Sequence, residues 1–352
     1  MASRRNSNFC SFFLNVLLAL FPGFVWALPP VCQGLPPTND FNTQGCYYAG
    51  NIQFAGTGSL FSRAYSLYLP RHFSTSWTNI PLIVALHPTS SAGRENPPST
   101  VFLGNEFTAE ADKYGFILLE PASTWNPNNG GQWFWNALFL DSLFTNGVPD
   151  DSGYITCLIE AVYSTTTPCG TSSGATAGGP YSLSIDLTRI AVTGVSSGGF
   201  MAERMGIEHS DLLSAIAPVS AMVHAGTGIL KSPSHPISYL EEHWDGDRLI
   251  NYCGGSTTVW GSRESLPTVG TTLSPVEGNG PYWINADQCS GSSYEPLCTK
   301  VGGIPTASTG YDIICPGGAE VQFVRNSGMG HEYTPAVIDQ IVEFLMAHRK
   351  PS

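Results

Sequence analysis

Seven short apolar runs, rich in β-branched and aromatic residues, recur along the chain at 65–70, 81–88, 115–121, 189–194, 213–220, 236–241 and 320–326. Taken together they are nearer to continuous than to alternating, the pattern of strands buried on both faces in a parallel sheet. Between them, 104–114, 151–163, 198–210 and 334–349 repeat apolar residues at helical spacing, with Asp151 and Thr334 as expected N-caps. Strand and helix alternating over this length predict one doubly wound, mostly parallel α/β domain. Two stretches interrupt the alternation. The Gly/Ser/Thr-rich 164–180 reads as a surface loop, because it contains Cys169 and strand–helix units continue on both sides. The segment 254–312, rich in Gly, Ser, Thr and Pro, predicts a long disulfide-pinned excursion near the top of the sheet.

At 352 residues and 42% hydrophobic content the chain can fill a sizeable core. Its first 27 residues carry Arg4-Arg5, an apolar run from Phe12 to Val25 and a closing Val25-Trp26-Ala27, the layout of a secretory signal peptide. That run is broken by Asn15 and Pro22-Gly23 and is too short for a membrane anchor. Without it, 13 basic residues face 27 acidic ones and the net charge is −14. With no basic cluster, this charge argues against nucleic acid as a partner. The division expected is 1–27 signal peptide, 28–55 disulfide-tied N-terminal segment and 56–352 α/β domain, with no membrane partner and a monomeric state.

Eight cysteines follow Cys10: Cys32, Cys46, Cys157, Cys169, Cys253, Cys289, Cys298 and Cys315. An even number in an exported chain predicts four disulfides. The expectation here is that near neighbours pair, as Cys32–Cys46, Cys157–Cys169 and Cys289–Cys298, leaving Cys253–Cys315. No CxxC or closely spaced Cys/His set suggests a metal, and no cofactor is called for.

The chemistry centres on 189–206, RIAVTGVSSGGFMAERMG. GxSxG is weak evidence alone, since about 0.4 chance matches are expected in a chain of this composition. There are in fact two, Gly170–Gly174 and Gly194–Gly198. Only the second follows a buried strand and opens a helix. In such a nucleophile elbow the serine sits on a sharp turn, and side chains two positions to either side would collide with it. Ser196 is therefore the candidate nucleophile, and the backbone N–H of Ser197 a candidate oxyanion donor beside a helix N-terminus.

A serine needs a base, and the base an orienting acid. Among eight histidines, His331 lies in the glycine-rich SGMGHEY after strand 320–326; His209 ends the nucleophile's helix, and His348 falls at the solvent-exposed end of the last one. Asp245 and Asp247 lie just beyond strand 236–241. Serine, aspartate, histidine is the α/β-hydrolase order. The loop after strand 81–88 should give the second oxyanion donor; Pro88 has no N–H, so Thr89 is preferred, then Ser90. His87 fits a loop-shaping role better than that of a base. Asp150-Asp151 precedes a helix, which a capping role explains without catalysis.

Over roughly 60–347 the blocks RAYSLYLP, PLIVALHP, ADKYGFILLEP, PDDSGYITCLIEAV, IDLTRIAVTGVSSGGFMAERMG, AIAPVS, HWDGD and GMGHEYTP resemble, in order, those of secreted esterases grouped as polyhydroxybutyrate depolymerases and feruloyl esterases of carbohydrate esterase family one. The resemblance implies an α/β-hydrolase with Ser196 as nucleophile, His331 as base, Asp247 as acid, an oxyanion loop at 87–89, and Trp133 or Trp135 as lining of an acyl pocket; a packed core pair is the other reading of the two tryptophans, and His87 is a further substrate-lining candidate. The chain departs from it at His87-Pro88-Thr89 and at His243-Trp244-Asp245-Gly246-Asp247, where Asp245 stays an alternative acid. The implied activity is hydrolysis of a polymer-linked ester by a secreted enzyme. Because only 21 residues follow His331, feruloylated or acetylated plant polysaccharide is expected ahead of polyester. A non-catalytic binding protein or a peptidase on the same fold are the rival readings.

Overall fold

The computed structural model describes residues 32, 45–90, 104–126, 131–137, 147–172, 179–221, 233–250, 252, 279–289, 311–328 and 330–350. The strands, in chain order, are β1 (Cys46–Thr57), β2 (Ser59–Leu69), β3 (Ile80–Leu86), β4 (Ile117–Pro121), β5 (Thr124–Asn126), β6 (Gln132–Phe134), β7 (Val148–Pro149), β8 (Thr171–Ser172), β9 (Ile185–Val195), β10 (Ala215–Val219), β11 (Ser238–Trp244), β12 (Tyr311–Ile314) and β13 (Glu320–Asn326). The helices are α1 (Gly104–Tyr114), α2 (Asp151–Tyr163), α3 (Ser197–Glu208), α4 (Asn279–Ala286) and α5 (Pro335–Ala347).

Eleven of the described strands form one sheet in the order β12-β13-β11-β10-β9-β3-β4-β2-β1-β7, with β8 also on β1. From β13 to β4 every neighbouring pair is parallel; β2, β1 and β12 join antiparallel. This is the mixed, mostly parallel sheet of an α/β-hydrolase, covered by helices on both faces. The continuous apolar runs are its cause. In β3, Leu82, Val84 and Leu86 join one core with Tyr154 and Leu158 of α2 and Met201 and Met205 of α3. Ile83 and Ala85 point the other way, into a second core with Phe107 of α1 and Ile338, Ile341 and Leu345 of α5. An alternating strand has only one such face to bury.

Thr334 caps α5, accepting from the Val337 N–H at 3.3 Å. The cap of α2 is Asp150, one residue before the expected Asp151: its carboxylate accepts from the Gly153 N–H at 2.9 Å. Asp151 turns inward instead. It pairs with Arg63 of β2 at 2.7 Å, both side chains buried, and accepts from the Asn136 N–H at 2.6 Å.

Cys32–Cys46 and Cys157–Cys169 are bonded, as near-neighbour pairing predicts. Cys289 is not bonded to Cys298 but to Cys315, at a Cα–Cα distance of 4.4 Å, which also removes the Cys253–Cys315 pair. The cause is topological. Helix α4 packs on β11 and β13, and β12 pairs with β13, so the ends of α4 and β12 meet at one sheet edge. Residues 1–27, Cys253 and Cys298 lie outside the described residues, as does most of 254–312, although α4 and β12 show that its described part is structured. The expected boundary at 55/56 falls inside β1.

Candidate active site

Strands β13, β11, β10, β9 and β3 are consecutive and parallel, so the loops that follow them share one edge of the sheet. Ser196 follows β9, Asp247 follows β11, His331 follows β13 and 87–90 follow β3. Ligands of open α/β sheets bind at this carboxyl edge.

Ser196 has φ 55° and ψ −121°, a strained conformation for a residue with a side chain, of a kind that costs on the order of 1–3 kcal/mol. The flanking glycines permit it. A Cβ on Gly194 would meet the Gly198 carbonyl, and one on Gly198 would meet the Leu86 carbonyl of β3. The turn is held by Ser196 N–H to Val219 O and Phe200 N–H to Ser196 O, both 2.9 Å. The other GxSxG match places Ser172 in β8, an edge strand on β1.

His331 Nδ1 lies 2.6 Å from Asp247 Oδ2. Asp247 Oδ1 accepts from the Leu249 and Ile250 N–H groups at 2.8 and 3.0 Å. Burial raises this carboxyl, but bonds from His243, His331 and Ile250 outweigh it and hold it well below the usual carboxylate range. An ionised Asp247 can only accept, so Nδ1 of His331 carries the proton and Nε2 keeps its lone pair. Asp245 is engaged elsewhere: it accepts from Arg325 Nη2 at 2.6 Å and from the Gly328 N–H at 2.9 Å, bracing the loop that carries His331. A second brace is Tyr333, whose hydroxyl lies 3.1 Å from Thr193 Oγ1 on β9, the strand that leads into Ser196.

On the oxyanion side, Ser90 is removed as a donor because its N–H is given to Trp133 O at 2.9 Å. Thr89 is half-buried beside it, and Ser197 opens α3. The three substrate-lining candidates are all buried. Trp135 is 2% exposed; its Nε1–H donates to His87 O at 2.9 Å and its N–H to Ser197 Oγ at 3.1 Å, tying the loop after β3 to the elbow. Trp133 is 5% exposed, packs edge-on against Trp125 and pairs with Ser90. His87 is 1% exposed: Nδ1 meets Pro88 O at 2.6 Å, and Nε2 accepts from the Ser123 N–H at 2.9 Å.

Burial, with a smaller effect of Arg63, pushes His87 down to about 3 against the weaker upward pull of Pro88 O. Its unfolded value near 6.5 means that below that pH the unfolded chain binds the extra proton, so stability present at neutral pH is lost as pH falls. Between pH 7 and 5 this site should account for about 2 kcal/mol of lost stability. Urea titrations of wild type and His87→Gln at both pH values check it: the variant should lose less by that amount.

His209 ends α3 and bonds Ser152 Oγ at 2.7 Å. His348 is not solvent-exposed as expected; it is 12% exposed, bonds Glu320 at 2.8 Å and lies tilted against Phe344. What sequence reasoning missed is His243. It is fully buried, with Nε2 3.4 Å from Asp247 Oδ2 and Nδ1 3.1 Å from Glu241. The signal was there: Glu241-Glu242 and His243 are polar residues inside a strand whose run is buried on both faces.

No family model and no curated protein sequence matches the chain. Among solved structures it is similar to a thermostable esterase (16% identity, TM-score 0.49), covering 86% of this chain and 63% of that one. An acetyl xylan esterase from Aspergillus awamori shares 15% identity at TM-score 0.44, over 85% and 98% of the two chains. An S-formylglutathione hydrolase from Agrobacterium tumefaciens shares 10% at TM-score 0.49, over 90% and 99%. At such identities and scores none of them assigns an activity to this chain.

Proposed function

We propose that this protein is a secreted serine carboxylesterase that works through an acyl-enzyme. The observation that carries the reading is the strained Ser196 turn at the same sheet edge as the 2.6 Å His331–Asp247 pair. His331, through Nε2, takes the proton of Ser196 as Oγ attacks the ester carbonyl; Asp247 holds the ring and stabilises its charged form. The N–H groups of Ser197 and Thr89 receive the oxyanion. The protonated ring then gives its proton to the departing alcohol, and water, activated by the same nitrogen, releases the acid and restores Ser196. Three disulfides among the described residues suit an oxidising compartment, in line with the signal-like 1–27.

For the acyl group, the family resemblance supports feruloyl or acetyl esters of plant polysaccharide, with polyhydroxybutyrate as the competing substrate. Acid release from methyl ferulate, acetylated xylan and polyhydroxybutyrate granules should be compared. Turnover of either of the first two is expected; clearing of granules with neither would reverse the order, and no ester hydrolysis at all would refute the reading.

A further inference from the structure

A line of buried polar groups runs from the interior of the sheet to the triad acid. Trp283 Nε1–H of α4 donates to Glu203 Oε2 of α3 at 2.9 Å, and its ring stacks on Tyr239. The Tyr239 hydroxyl lies 2.9 Å from both Glu203 Oε1 and Glu241 Oε2. Glu241 Oε1 meets His243 Nδ1 at 3.1 Å; His243 Nε2 meets Ile250 O at 3.0 Å and stands 3.4 Å from Asp247 Oδ2. Glu203 is 3% exposed; Tyr239, Glu241 and His243 are completely buried.

Proton counting orders this line. A tyrosine hydroxyl has one proton and cannot donate to two carboxylates, so one of the glutamates must itself donate to it. That one is Glu203, which burial and the neighbouring Glu241 charge push well upward; burial raises Glu241 as well, but His243, the Tyr239 hydroxyl and the Ala221 backbone pull against it. Tyr239 then donates to Glu241. At the other end a backbone carbonyl only accepts, so His243 Nε2 carries a proton. A single further proton is shared between Glu241 Oε1 and His243 Nδ1, and the ionised Asp247 on the far flank draws it onto the ring.

We infer that Glu203, Tyr239 and Glu241 hold His243 as a buried imidazolium against Asp247, making His243 a positioning residue that keeps the triad carboxylate ionised and the His331 base usable in acidic medium. The inference rests on the proposed triad. Burial lowers His243, but Asp247 and Glu241 outweigh it and raise the ring to about 9. The other charged and titratable groups around the ring do not cancel this. From β13, Arg325 is the register partner of His243, and its charge is met by Asp245. Tyr252 presents its ring edge-on at 5.7 Å, and His331 lies across Asp247.

Glu241→Gln keeps the shape and can accept from Tyr239 while donating to His243 Nδ1, which leaves the ring neutral. Two readouts follow: the charge of His243 by NMR of the full-length protein labelled in histidine, and kcat/KM for nitrophenyl acetate against pH. In wild type both His243 nitrogens should be protonated at pH 7; in Glu241→Gln one should not be. With the neighbouring cation gone, the protonated base is less disfavoured. The acid limb should therefore move up by about one pH unit, with the plateau within about tenfold of wild type. A neutral His243 in wild type at pH 7 overturns the inference even if the variant does not fold. A lowered melting temperature with an unmoved acid limb also overturns it, leaving the line merely structural. Failure of the triad itself would appear separately, as a Ser196→Ala enzyme that still turns over while the NMR result stands.

Discussion

Ser196→Ala should lower kcat for a nitrophenyl ester by roughly ten-thousand-fold or more, with KM little changed. The size follows from the covalent route: without Oγ neither half-reaction exists, and what survives is catalysis by the oxyanion donors and binding, about 10³–10⁴ over water. The fold should be spared. Alanine removes one atom from a turn whose constraint comes from Gly194, Gly198 and the Ser196–Val219 and Phe200–Ser196 backbone bonds. Unfolding free energy is therefore expected to stay within about 1 kcal/mol of wild type. Ser172→Ala, in the other GxSxG match, should leave kcat unchanged, since that residue lies on the edge strand β8. Steady-state kinetics on the three proteins decide it.

The second large effect separates two aspartates two residues apart. Asp247→Asn should cost about 10⁴ in kcat, because an amide in place of the carboxylate can donate to Nδ1 and so stabilises the wrong tautomer of His331. Asp245→Asn should leave kcat within about threefold. Its loss falls on the Arg325 pair, a fully buried guanidinium, and is expected to show as lower stability, of the order of 3 kcal/mol. If Asp245→Asn were the inactive variant and Asp247→Asn the active one, the acid would be misassigned.

The central fold was legible because most of its strands are buried on both faces, and continuous β-branched runs such as Leu82–Leu86, bounded by proline, carry that pattern. The elbow was legible because its geometry demands glycine at 194 and 198. The antiparallel flank was not: β1 mixes buried Cys46, Tyr48 and Ile52 with exposed Asn51 and Gln53, a weak pattern set by pairing with β2 rather than by its own composition. Helix α4 and strand β12 were hidden in a stretch of loop-like composition. The Cys289–Cys315 bond needed their tertiary positions. Trp133, Trp135 and His87 lie outside any periodic run that would set which way they face, and the structure buries all three. The polar run Glu241–His243 inside a buried strand marks His243, but its contacts with Glu241 and Asp247 come only from the fold.

If Ser196 Oγ carries the acyl group, a reagent that traps activated serines should find it. The purified protein would be treated with a fluorophosphonate, digested, and mapped by mass spectrometry while residual esterase activity is followed. One adduct is expected, on Ser196, rising in step with the loss of activity. Activity lost with Ser196 unmodified, or an adduct on another serine that tracks inactivation, would contradict it.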